Sequence, residues 1–175
     1  MSVLLVFQGA INKPYRTAPI DEQTMKVTVG HVASPIFVDL KTSKYIKELQ
    51  GDAIKSGWVI GNPLIDLTGG SPGAAYILGA TAPGSPWILG GYSGSTKFAK
   101  TALGYADRSS LDNAWLLIAP EGRRQLSLSV LTDLDLLFPE NYIYVGKFTN
   151  PTRRETQKLY RPKSENDFLD LMLHD

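Results

Sequence analysis

With two histidines and no cysteine, this chain has few side chains from which to build a reactive site. Disulfides, thiolate metal sites and cysteine nucleophiles are excluded outright, and a multi-histidine metal centre within one chain is excluded with them. Hydroxyl, carboxylate and cationic chemistry remain. The first candidate is Ser93, in Gly90-Gly91-Tyr92-Ser93-Gly94-Ser95. An apolar run reaches small residues there and a helical pattern follows. A serine on so tight a turn presents its hydroxyl outward, and neighbouring backbone N–H groups can face an oxyanion. The second candidate is His31. It closes the alternating stretch Met25 to Val32, where Met25, Val27, Val29 and His31 share one face and Lys26 and Thr28 the other. Its near-neutral titration suits a base, yet on an apolar strand face it is expected as a core residue.

The run Gly-Gly-Tyr-Ser-Gly-Ser resembles the nucleophile elbow of cutinase-type serine esterases, where a Gly-Tyr-Ser turn joins strand to helix. The resemblance implies Ser93 as the nucleophile. Two features depart from the pattern: Ser95 stands where the last glycine belongs, and the order serine, acid, histidine leaves only His174 as base. The residues themselves favour a turn whose small side chains let a helix pack on a sheet.

Asp133 and Asp135 have the i, i+2 spacing that aligns two carboxylates on a strand face, where they could hold a hard cation. Leucines at 134, 136 and 137 frame them as the wet side of an amphipathic element. The glycine pairs Gly69-Gly70 and Gly90-Gly91 lack the spacing of a phosphate loop or a dinucleotide fingerprint. No metal or cofactor is expected.

The strongest charge feature comes late. Lys147, Arg153, Arg154, Lys158, Arg161 and Lys163 are opposed only by Glu155, with Phe148 and Tyr160 among them. Cations interleaved with aromatics can neutralise phosphates and stack bases, or hold a chain to an anionic surface. An anionic partner is expected to meet Arg153, Arg154, Lys158 and Arg161, with Arg123 and Arg124 adding to the patch. The competing expectation is a solvated segment that binds nothing.

The elements that must position these residues follow from periodicity. At 175 residues, 43% hydrophobic and net charge +1, the chain is expected to be one globular domain over 1–175. The overall charge makes no case for a polyanionic partner, so any such case is local. Strands are expected at residues 2–9, 25–32, 36–40, 113–120, 125–130 and 141–148, and as a three-strand meander over 58–92. Helices are expected at 42–57, capped by Thr42 or Ser43, after Gly94, and from Ser164 onward with Asp167 as capping partner. Gly51 inside the first helix predicts a bend or a close contact. The predicted core is Tyr45, Ile46, Leu49, Phe98, Leu103, Trp115, Leu117, Leu126, Leu128 and Val130. Short links over 58–92 predict mainly antiparallel pairing, so the expected class is α+β, a mainly antiparallel sheet or partly closed barrel with two or three helices.

Without a complete catalytic set, the leading functional expectation is a non-enzymatic structural or assembly protein that forms a homo-oligomer, of the kind found in phage and viral particles. The alternatives are a small serine hydrolase using Ser93, or a binder of nucleic acid or an anionic surface through 147–163. Val3 to Phe7 lack a positive segment before them, so no signal peptide is expected and the location is cytoplasm or virion. No transmembrane segment is expected.

Overall fold

The alternation of residues 25–38 is realised as a hairpin. In the computed structural model, which describes residues 17–164 and Asp167, β1 (Met25–Val29) pairs antiparallel with β2 (Ser34–Val38), Met25 opposite Val38 and Val29 opposite Ser34. The strand expected at 2–9, the closing helix beyond Asp167 and His174 lie outside the described residues. His31 falls in the turn, exposed, because the chain leaves the strand at Gly30 (φ 79°). The expected apolar-face histidine is therefore corrected to a surface one.

Helix α1 (Leu40–Lys55) begins earlier than expected. Asp39 caps it, its Oδ1 accepting from the backbone N–H groups of Lys41 and Thr42 at 2.9 and 3.1 Å. A carboxylate directly after a strand meets two of the orphan donors that open a helix, which leaves Thr42 to donate its hydroxyl to the same carboxylate at 2.7 Å. Tyr45, Ile46, Leu49 and Ala53 face inward. No close contact marks Gly51: the helix is unbroken and a Cβ there would meet nothing within 4 Å.

Residues 58–92 depart most from expectation. Only β3 (Leu64–Asp66) is a strand; Pro72 opens helix α2 (Pro72–Leu78), and residues 87–90 form no ladder. Proline at the first helical turn needs no N–H partner, and Ala74, Ala75 and Leu78 then bury one helical face. The chain continues through α3 (Ser95–Gly104) and α4 (Arg108–Asp112) to β4 (Trp115–Ile118). That long route is a crossover, so β3 and β4 are parallel, Leu64 beside Trp115. After the short α5 (Ser129–Thr132) the hairpin β5 (Tyr142–Thr149) and β6 (Thr156–Pro162) completes an open sheet of order β3-β4-β6-β5. The other pairings are antiparallel. Among the described residues the fold is thus α+β with mostly antiparallel pairing and no closed barrel. Beyond the two longer helices, the described residues include three short ones.

Each sheet face has its own core. Trp115, Leu117, Phe148 and Leu159 meet α1, α2 and the β1–β2 hairpin; Trp58 and Trp115 stack edge to face at 4.9 Å. Leu116 and Ile118 face the opposite core with Ile65, Leu103, Val130 and Leu131. Two expected core residues are outside: Phe98 is 52% exposed and Leu128 39%. Residues 125–130 are not a strand. Ser127 Oγ accepts from Ser129 N at 3.2 Å and turns the chain into α5, so Leu126 and Val130 are buried as helix-spaced neighbours while Leu128 points away. No helix among the described residues is long and apolar enough to cross a membrane.

Candidate nucleic-acid interface

Residues that pair across a ladder point to the same sheet face. Along β5 and β6 the pairs are Tyr144 with Tyr160, Lys147 with Lys158, and Thr149 with Thr156; a bulge between Tyr144 and Gly146 keeps all three in phase. On β4, Leu116 pairs with Tyr160 and Ile118 with Lys158, so this is the face that α3 and α5 cover farther along the sheet. Over the hairpin that cover ends. Tyr144 is 50% exposed, and its ring lies 5.6 Å from that of Tyr160, which in turn stands edge-on to Phe138 at 5.0 Å. Beside this aromatic pair sits the lysine pair.

Lys147 and Lys158 oppose each other with no ion-pair partner among the described residues. Like charges in direct register destabilise a sheet. An anion lying between them would turn that repulsion into attraction.

The basic segment is therefore divided, not gathered. Lys158 joins Lys147 on the open face. Arg161 makes a bidentate ion pair with Asp167, both contacts 2.6 Å, which holds the Asp167 carboxyl far below its ordinary range. Ser164 and Asp167 form the expected reciprocal cap, with Ser164 N donating to Asp167 Oδ2 at 2.7 Å. The Arg153 guanidinium packs on Gly70, and Arg154 turns to the α1 side of the hairpin. Arg124 is engaged with Tyr92, its guanidinium 5.5 Å from the ring centre. The sequence singled out Lys158 and Tyr160 but not Tyr144, whose pairing with Tyr160 depends on the hairpin register.

The chain matches no protein-family model, no curated protein and no solved structure.

The serine candidate stands apart from this face. Ser93 is exposed in the turn before α3, Gly94 takes φ 84°, and Ser95 Oγ accepts from Tyr92 N at 3.1 Å. An elbow draws its strain from a strand entering the turn, and residues 87–90 supply none. Asp133 and Asp135 do not share a strand face either: Asp133 ends α5 and pairs with Lys100 at 3.3 Å, and Asp135 has φ 56°. Among the described residues no group of three potential ligands could hold a metal ion.

A buried polar chain that sequence reading missed crosses the opposite face. Tyr45 donates to Gln157 Oε1 at 2.7 Å, and Gln157 Nε2 donates to Ser71 Oγ at 2.6 Å. Behind it, Asp66 Oδ1 accepts from the N–H and hydroxyl of Thr68, and Oδ2 accepts from Ser71 N. Burial raises the pKa of both Tyr45 and Asp66. Every polar group there has a partner, so the chain ties α1 and the 68–71 loop to β6 and presents no free reactive atom.

Proposed function

We propose that this protein binds single-stranded nucleic acid on the open face of the β5–β6 hairpin. One observation carries the reading: an exposed Tyr144, its ring against that of Tyr160, and an unpartnered lysine pair follow one another along one face of one ladder. Tyr144 offers a stacking surface for a base, and Lys147 with Lys158 neutralises the phosphates beside it. An anionic lipid surface would need the charges alone and would leave the tyrosines without a task. Fluorescence anisotropy of a labelled oligonucleotide tests this. Tyr144→Ala is expected to weaken binding by about 1–3 kcal/mol. Replacing both lysines with alanine should reduce the log–log salt slope by about 1.4, at roughly 0.7 per phosphate for a single strand. Absence of binding at low salt, or affinity indifferent to both changes, refutes the reading. Vesicles bound in place of oligonucleotide would assign the face to lipid.

A second observation supports self-association. An apolar groove of about 570 Å³ runs between the β1–β2 turn and the end of α1, lined by Ile54, Val59 and Ile60. These three are 65%, 64% and 53% exposed, a clustering that soluble monomers seldom leave open. An exposed apolar patch of this kind suits an isologous pair of chains, each covering the same patch on the other. Light scattering should then report a dimer mass, and Val59→Lys should return it to the monomer. A monomer at high protein concentration removes this reading.

A further inference from the structure

The hairpin has a second basic surface, on the side of β5 opposite the tyrosines. Between α1 and the edge strand β5 lies a cleft of about 840 Å³, a volume within the range of small-ligand sites. Lys41 and Lys44 line it from the first turns of α1, and Arg154 from the hairpin loop. One carboxylate, Glu48, faces these three cations, and its pairing with Lys44 is long at 3.8 Å and well exposed. Such a pair contributes little. Lys41 and Arg154 have no ion pair among the described residues. Thr152, in the loop between the two strands, also lines the rim.

Arg154 is the informative residue. It sits at φ 57°, the left-handed region that costs a side chain with a Cβ about 1–2 kcal/mol and that glycine or asparagine adopts readily. The loop itself needs only a backbone there: Arg154 N donates to Asn150 O at 2.8 Å, and Asn150 Oδ1 accepts from the N–H groups of Thr152 and Arg153. An arginine kept where glycine would relieve the turn points to a task for its guanidinium.

We propose that this cleft binds the phosphate groups of a small polyphosphorylated ligand, between Lys41 and Lys44 on one wall and Arg154 on the other. The charge decides the class, since a planar guanidinium and two ammonium groups suit multiple phosphate oxygens. The floor decides against nucleobases stacking there. Tyr45 and Phe148 are 5% and 2% exposed, so no aromatic face is open in the cleft. This proposal goes beyond the nucleic-acid reading and does not depend on it.

Inorganic tripolyphosphate is the probe, followed by titration calorimetry at low salt. The parent protein should bind it, and Arg154→Gly should weaken binding roughly tenfold or more, as loss of a charge-assisted contact does. The melting temperature of that variant should be unchanged or higher, because glycine relieves the turn, so weaker binding cannot be ascribed to unfolding. Lys97→Ala, on α3, controls for general loss of charge and should bind as the parent does. No binding by the parent, or parental affinity in Arg154→Gly, overturns the proposal. Oligonucleotide binding by Arg154→Gly separates the two phosphate sources. If it falls in parallel with tripolyphosphate binding, the cleft holds the phosphates of the strand, and a separate small ligand is ruled out. If it is retained while tripolyphosphate binding falls, the cleft is a site of its own.

Discussion

Gly90→Ala is expected to destabilise the fold by more than about 4 kcal/mol, in the range where single substitutions leave little native protein. A Cβ at Gly90 would lie 1.8 Å from the carbonyl oxygen of Arg124 and 3.0 Å from the Cα of Gly69. Both neighbours are backbone, so no side chain can swing aside. The junction is also tied in place: Gly90 N donates to Gly69 O at 2.9 Å, and Leu126 N donates to Leu67 O at 2.8 Å. Three loops meet there at the carboxyl end of β3, and close packing leaves no slack to absorb a methyl group. Gly51→Ala is the control. Its new methyl meets nothing, so the helix should gain about 0.5–1 kcal/mol. Urea unfolding of the two variants should move in opposite directions. Parental stability in Gly90→Ala would mean that the loops stand farther apart than described.

That junction also shows why the glycine pairs were only half legible in the sequence. Gly69-Gly70 and Gly90-Gly91 were readable as turn residues excluded from phosphate binding by their spacing. Their mutual contact was not, because it depends on where residue 124 returns in space. Local signals were read well wherever the buried face matched one period. The α1 residues Tyr45, Ile46 and Leu49, and the short apolar run of β4, are buried as expected. Runs whose pattern suited more than one period were misread. Leu126, Leu128 and Val130 alternate like a strand, yet serine side chains bent the segment into a helical turn. Ala74 to Leu78 could be strand or helix by composition, and Pro72 decided for helix. For the candidate interface, charge and aromatic content singled out the segment 147–163. Which cation faces which neighbour was set by the β5–β6 register, and that sent Arg161 to Asp167, Arg154 to the cleft and Lys158 to the open face.

Asp66→Ala is expected to cost about 3 kcal/mol or more, because it leaves two backbone donors of the 68–71 loop without their acceptor. The N–H groups of Thr68 and Ser71 both end on this carboxylate, at 2.9 and 3.1 Å, and the Thr68 hydroxyl joins them at 2.6 Å. Ser71 in turn receives the Gln157 side chain, so loss of the loop would reach β6 and Tyr45. Asp66→Asn isolates the charge. Its oxygen can still serve Thr68, but its NH₂ would confront the Ser71 N–H, donor against donor, at a cost of about 1–3 kcal/mol. The deficit of this variant should also depend on pH. Burial, with the nearby charge of Glu155 adding to it, raises the folded-state pKa of Asp66 in spite of its three donors. Between its unfolded value of about 3.9 and that raised value, the folded protein binds the proton that the unfolded chain has released. The resulting stability is fully present below the unfolded pKa and is lost as pH rises through the folded one. Asparagine does not titrate, so the gap between parent and Asp66→Asn should be widest in acid and should narrow as pH rises. Urea unfolding of both proteins across that window measures the gap directly. A gap that widens with rising pH would show that the three hydrogen bonds outweigh burial and hold Asp66 ionised throughout.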